Sequence, residues 1–298
     1  MSSSSQDKTR SKAGGRVGSG GIAGASRMRL VIVGFGQMGE ALARGMLATH
    51  PDAQVSTVDV LEERIRVAKA LGIKVAEDLQ DAAKSSDILV LCVKPKQVVG
   101  VLDKAASVLT EHHLLISIAA GVPLCYIEKR VQKARVIRVM PNINATVREA
   151  FTVIAPGKRA SPSDCEEAVK IFSSIGRAEV ADETVLDAVT GLGGSGPGFM
   201  FAVIDALADG GARVGLRRDL AIRMAAQVAL GSGKLVLESG KHPSELKDAV
   251  ATPAGTTIEG LYQMEKAGLR ATLIDAVTEA TKKSREISEE FRKHSVSP

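Results

Sequence analysis

The chain predicts an α/β domain with a doubly wound, mostly parallel sheet, followed by an all-α helical domain. Three observations carry this. Short β-branched runs alternate with helical patterns from Arg29 to Met140. The first of these runs passes straight into a glycine turn, Gly34-Phe35-Gly36-Gln37-Met38-Gly39. From Thr184 onward strand signals disappear and apolar residues recur at helical spacing. The pattern divides the chain into a tail over 1–27, an α/β domain over 28–183 and a helical domain over 184–298.

Taken in order, Arg29 to Val33 is a β-branched strand, and EALARGMLATH after the turn is a helix. A second strand, Gln54 to Val58, ends at Asp59. Helix Glu62 to Leu71, a short strand near Lys74 and helix Leu79 to Ala83 precede the buried strand Ile88 to Val93, which enters Lys94-Pro95. A helix from about Lys96 to Leu109 leads to strand Leu114 to Ile118, ending in Ala119-Ala120-Gly121. Strand Val136 to Met140 ends in Pro141-Asn142.

Strand, glycine turn and helix in succession form the dinucleotide-binding fingerprint of a Rossmann domain. Gly34 permits the tight turn, Gly36 lets a pyrophosphate approach the backbone, and Gly39 lets helix and strand pack closely. Phe35, Gln37 and Met38 complete the turn. Asp59 stands 20 residues beyond Gly39, where an acid bonds the adenosine ribose. In an open parallel sheet ligands collect at the carboxyl ends of strands, so Val93, Lys94, Pro95, Ala119, Ala120 and Asn142 are expected to line the nicotinamide. Two simpler readings stand beside this: Lys94 as a solvated loop lysine, and Ala119 to Gly121 as a tight turn.

Composition excludes several classes. At 45% hydrophobic and 24% charged residues the chain is an ordinary globular protein. Aromatic content is 3% with no Trp, too little for stacking platforms on single-stranded nucleic acid. The formal charge is +5, but residues 1–27 hold five basic residues against Asp7, a net of +4, which leaves +1 for the rest. That is not a nucleic-acid-binding surface. The Ser/Gly-rich opening has no hydrophobic period and reads as a disordered tail; its basic, Ser-rich character faintly resembles a transit peptide. No run of about 18 apolar residues is evident, so no membrane span is expected. Cys92, Cys125 and Cys165 lack metal-ligand spacing, no metal site is expected, and a reduced, cytoplasmic setting fits them.

In the second half, Val185 to Gly191, Phe199 to Val214, Asp219 to Leu237, Ile258 to Ala267 and Leu269 to Phe291 are candidate helices. Gly191 to Gly198 interrupts a long apolar helix, which implies close packing or a pivot. Apolar residues exceed what such a bundle hides alone, so a partner subunit is expected. In LKDAVATPAGTTIEG, Leu246 to Gly260, Pro253 to Gly255 break the helix and Thr256 with Glu259 fits a capping box opening a helix that ends at Gly268. Such a helix start can be an ordinary capped loop or a receptor for an anion.

Over Arg29 to Glu290 the chain resembles pyrroline-5-carboxylate reductases. The segments that carry the resemblance are GFGQMGEAL, VKPKQ, SIAAGV, RVMPN, VTGLGGSGPGF, ALADGG and HPSELKDAVATPAGTTIEGLYQMEKAGLR. The resemblance implies a Rossmann domain joined to a helical dimerisation domain, a homodimer that assembles further in many members, and reduction of 1-pyrroline-5-carboxylate to L-proline by NADP or NAD in reduced form. It places the substrate carboxylate on the amides around Gly255, Thr256 and Thr257, the catalytic Thr257 hydroxyl near the ring nitrogen, and Thr252 and Glu183 among the ligand contacts. A solvated helix-start glutamate is the plainer reading of Glu183. Ala254 stands where the family commonly has glycine, and Ala249 lacks a polar side chain some members carry. Asp59 repels a 2′-phosphate and tilts the expectation toward NADH, with Arg64 and Arg66 close enough in sequence to compensate.

Two rivals remain. A β-hydroxyacid dehydrogenase shares the opening fingerprint, but its expected lysine falls at Met200 here. A non-catalytic nucleotide-binding regulator needs no second-domain turn, and Pro253 to Thr257 is intact.

Overall fold

The computed structural model describes residues 28–296; the expected tail over 1–27 lies outside the described residues. Strands β1 (Arg29–Val33), β2 (Gln54–Val58), β3 (Lys74–Val75), β4 (Ile88–Leu91), β5 (Leu114–Ser117), β6 (Arg135–Met140), β7 (Ala150–Pro156) and β8 (Gly176–Val180) form one sheet in the order β3-β2-β1-β4-β5-β6-β7-β8. Every neighbouring pair is parallel except β6 with β7. The order runs outward from β1 in both directions, which is the doubly wound arrangement.

The central strands are buried on both faces, as apolar runs in a parallel sheet must be. Alternate side chains feed two cores. Leu30, Ile32, Val90 and Ile116 pack with Leu42, Met46 and Phe172, whereas Val31, Leu89, Leu91 and Leu115 pack with Val98, Leu102 and Ile127. The helices that cover these faces are α1 (Gln37–Thr49), α2 (Glu62–Ala70), α3 (Leu79–Lys84), α4 (Pro95–Ala105), α5 (Leu124–Arg130) and α6 (Pro162–Ser173).

No element is expected from the sequence between Asn142 and Thr184, nor over α5. The signals were present. AFTVIAP is an apolar strand, and Ser161, Pro162 and Asp164 supply the N-cap, the first helical residue and the capping box of α6.

After β8 the described chain is helical: a 3₁₀ turn (Glu183–Val185), α7 (Leu186–Val189), a π turn (Thr190–Gly194), α8 (Gly196–Arg213), α9 (Arg218–Ser239), α10 (Pro243–Val250), α11 (Thr256–Lys266) and α12 (Leu269–Val296). Of these, α10 was not anticipated. The glycine run at Gly191 does serve close packing, because a Cβ there would collide with Thr281 of α12. Helices α8 and α9 pack on each other through Ala208, Ala221 and Ala225, a seam of small residues. Their outer faces expose Phe201, Leu207, Val228, Leu230 and Leu235. By length and composition alone α9 is long and apolar enough to cross a membrane, although no such segment is expected from the sequence. Its most apolar 18-residue window has a mean hydropathy of 1.3 and is 11% buried. Leucine, valine and isoleucine on its exposed face raise that value, and these are residues that a partner subunit would cover as well as lipid would.

Candidate active site

The glycine turn is built as its chemistry requires. Gly34 has φ +95°, its amide donates to the Val58 carbonyl at 2.8 Å, and a Cβ there would lie 2.9 Å from Val93 Cγ1. A Cβ on Gly39 would collide with the Gly34 carbonyl oxygen. Gly36 faces open space instead, and it caps α1 with no side-chain hydrogen bond. The first amides of α1 thus point outward from a helix start that no side chain closes, a suitable cradle for a pyrophosphate. Phe35 turns its ring fully into the core, so its contribution here is its backbone. Gln37 and Met38 are the first residues of α1.

Asp59 sits where the spacing put it. Its carboxylate accepts from the Phe35 amide at 2.5 Å and from the Leu61 amide at 2.8 Å. Two backbone donors fix the group at the end of β2, beside the turn. Arg64 leans toward Glu40 and Glu63 at 3.9 and 4.0 Å, distances at which exposed charges are weakly held.

The loops after β4, β5 and β6 meet at the same end of the sheet. Lys94 is exposed at the cap of α4, its amide donating to Gln97 Oε1 at 3.2 Å, next to partly buried Val93 and Pro95. Burial pushes the Cys92 thiol up to about 12, so it carries no nucleophilic thiolate here. Ala119 is buried and Ala120 half-buried. Gly121 has φ +75° and a Cβ there would collide with Ile287, so the tight turn and the approach of α12 account for that glycine. Asn142 is used internally: its Nδ2 donates to the Gly193 carbonyl at 2.9 Å and its Oδ1 accepts from the Asn144 amide at 3.2 Å. It ties the end of β6 to the π turn.

Glu183 has partners that neither sequence expectation includes. Its Oε1 accepts from the Leu124 amide at 2.7 Å and from Arg138 at 3.0 Å. It opens the 3₁₀ turn with its side chain partly exposed, and a buried guanidinium on β6 recruits its Oε1. Arg138 went unnoticed because a lone arginine in an apolar strand says nothing of its partner.

The Thr turn departs from its expected cap. Gly255, not Thr256, is the N-cap of α11, and no side chain caps it. Thr256 and Thr257 are the first two helical residues, exposed and half-buried respectively. Gly255 donates to the Thr252 carbonyl at 3.0 Å, and a Cβ on Gly255 would collide with Thr252 Oγ1. Gly268, at φ +76°, stops the next turn. The missing capping box leaves the helix start open, which suits an anion better than the expected arrangement would. Ala254 holds φ +56°, a left-handed backbone that favours glycine.

The structure gathers the glycine turn, Asp59 and the strand-end loops at one end of the sheet. It leaves the Thr turn elsewhere on the protomer: α11 packs on α12, and neither α10 nor α11 packs substantially on the sheet.

Comparison with known proteins decides the family. Residues 183–287 match the model of the pyrroline-5-carboxylate reductase dimerisation domain, and residues 29–121 match that of NADP oxidoreductases described as coenzyme F420-dependent. The chain is 46% identical to the pyrroline-5-carboxylate reductase of Methanosarcina acetivorans over 263 residues, spanning 87% of this chain and 97% of that protein. It is 41% identical to the soybean (Glycine max) pyrroline-5-carboxylate reductase, spanning 87% and 96%.

The chain belongs to the pyrroline-5-carboxylate reductase family. A crystal structure of the Plasmodium falciparum pyrroline carboxylate reductase with NADP bound superposes with a TM-score of 0.80 at 29% identity, covering 89% of this chain and all of that one. That of Coxiella burnetii gives 0.82 at 27% identity, covering 87% and 98%. The Rossmann domain followed by a helical dimerisation domain is therefore the family's architecture in this chain.

Proposed function

We propose that the protein reduces 1-pyrroline-5-carboxylate to L-proline with NAD(P)H, the last step of proline biosynthesis. The observation that carries the reading at the level of the site is the open start of α11 at Gly255, with Thr256 and Thr257 in its first turn. NAD(P)H, when bound, would supply a hydride to the imine carbon, the ring carbon on the other side of the nitrogen from the one that bears the carboxylate. The residues of this chain do the rest. Open amides from Gly255 to Thr257 hold the substrate carboxylate, and the Thr257 hydroxyl donates toward the ring nitrogen, where the electron pair of the C=N double bond collects as that bond becomes single. An iminium arrives already protonated, so a hydroxyl suffices where a carbonyl would need a stronger acid. Thr252 braces the turn from behind.

The cofactor lies on Gly34 to Gly39, with its ribose at Asp59 and its nicotinamide against the loops of Val93 to Pro95, Ala119, Ala120 and Asn142. The open cradle at Gly36 supports that placement. Asp59, fixed by two amides, disfavours a 2′-phosphate and supports a preference for NADH. The division near Glu183, the homodimer and its further assembly, and the absence of a membrane contact belong to the same reading. The exposed apolar faces of α8 and α9 are the surface a second copy buries, and that copy brings a Thr turn to the cofactor end. Three free cysteines support a reducing, cytoplasmic setting.

The test is Thr257→Ala assayed with the imine and both cofactors. kcat falls by the equivalent of about 2–4 kcal/mol, as for one transition-state hydrogen bond, with cofactor affinity unchanged. Equal loss of cofactor binding would remove Thr257 from the chemistry. Asp59→Ser raises the NADPH-to-NADH ratio of kcat/KM; an unchanged ratio discards the role of Asp59.

A further inference from the structure

Helix α12 meets the rest of the protomer through one stripe. Thr281 packs on Gly191 of the π turn, Ser284 and Ser288 reach α7, Ile287 closes on Gly121, and Phe291 meets the ring of Tyr126 on α5 edge-on, with centroids 5.0 Å apart. Steps of three or four residues keep these side chains on one face. At the middle of this stripe, between Ile287 and the small hydroxyl residues, lies a carboxylate. Asp187 is buried, and its Oδ1 accepts from Ser284 Oγ at 2.7 Å and from Ser288 Oγ at 2.9 Å. Ser288 is fully buried, and no cation pairs with Asp187 among the described residues. An apolar contact tolerates sliding, whereas two hydroxyls converging on one oxygen are both lost if α12 slips by one residue, about 1.5 Å.

The loop that such a slip would move is known. Gly121 accommodates Ile287 only because it has no Cβ, so the place of the Ala119–Gly121 turn depends on where α12 puts Ile287, one residue before Ser288. We propose that Asp187, Ser284 and Ser288 form a register clamp on α12 that positions this turn and, through it, the nicotinamide end of the site. The link to nicotinamide rests on the assignment of Ala119 and Ala120 above; the clamp itself does not. These are positioning residues, distant from the adenosine end at Asp59.

The test compares full-length Asp187→Ala, Asp187→Asn and the double variant Ser284→Ala, Ser288→Ala. Amide exchange is followed over residues 117–122, alongside affinities for NAD(P)H and for ADP-ribose, which lacks the nicotinamide. Asp187→Ala and the serine pair are expected to speed exchange in the turn and weaken NAD(P)H about tenfold while ADP-ribose stays within about twofold. Asp187→Asn keeps the oxygen both serines use and restores wild-type values. Unchanged exchange in the turn overturns the proposal, as does equal weakening of both ligands, which marks general loosening. Faster exchange with unchanged NAD(P)H affinity supports the clamp and overturns the nicotinamide assignment of the turn. Ser284→Ala alone, a milder change, serves if Asp187→Ala does not fold.

Discussion

Replacing Glu183 with alanine removes an acceptor that serves both the Leu124 amide and the Arg138 guanidinium. Arg138 is 3% exposed, so its charge is left without compensation; breaking a buried pair from one side costs about 3–5 kcal/mol. Glu183 itself is 25% exposed, and water entering the vacated space offsets part of that, leaving about 3 kcal/mol. For a chain of this size that is roughly 5 °C in Tm. Glu183→Gln keeps an oxygen for both donors but loses the charge, and is expected to cost about half as much. Thermal unfolding at fixed protomer concentration measures the loss, because association contributes to apparent stability. The KM for the imine, measured on the folded fraction, stays near wild type in both variants. A large rise in KM with an unchanged Tm would return Glu183 to the ligand and refute the structural account.

Two further outcomes follow from local geometry. Ala254→Gly relieves a left-handed backbone that costs an alanine about 1–2 kcal/mol, against about 0.4–1 kcal/mol of added unfolded-state entropy. Tm should rise by up to about 3 °C, and a fall would mean that the turn is not strained at Ala254. Arg29 donates to Asp87 across the ends of β1 and β4, with Nε to Oδ2 at 2.9 Å, and this hydrogen bond holds the Asp87 carboxyl below the usual carboxylate range. The lowered pKa means the pair stabilises the fold above the ordinary carboxylate pKa and loses that contribution as pH falls through the depressed value. The effect is small at so exposed a site. Asp87→Asn should narrow the gap between urea midpoints at pH 7 and pH 3; an unaltered gap assigns the acid sensitivity to other carboxylates.

The sequence by itself determined the elements whose signals are local: the first strand and glycine turn, Asp59 at the proper interval, the buried runs of β4 and β5, and the break before Thr256. Each depends on a steric or periodic rule that acts within a few residues, so it survives without knowledge of neighbours. The same holds for the segments that carry the family resemblance. What the tertiary structure decided are partnerships between distant residues. Arg138 takes Glu183 from 45 positions away, Asn142 spends its amide on Gly193, and Gly121 is required by Ile287. The same physics moved the cap of α11 to Gly255, where Thr252 closes the turn and leaves the helix start open. Sequence spacing marks a polar side chain as available, but only the packed chain shows whether a buried donor has already claimed it, because an unpaired group in the interior costs more than a ligand contact can offset.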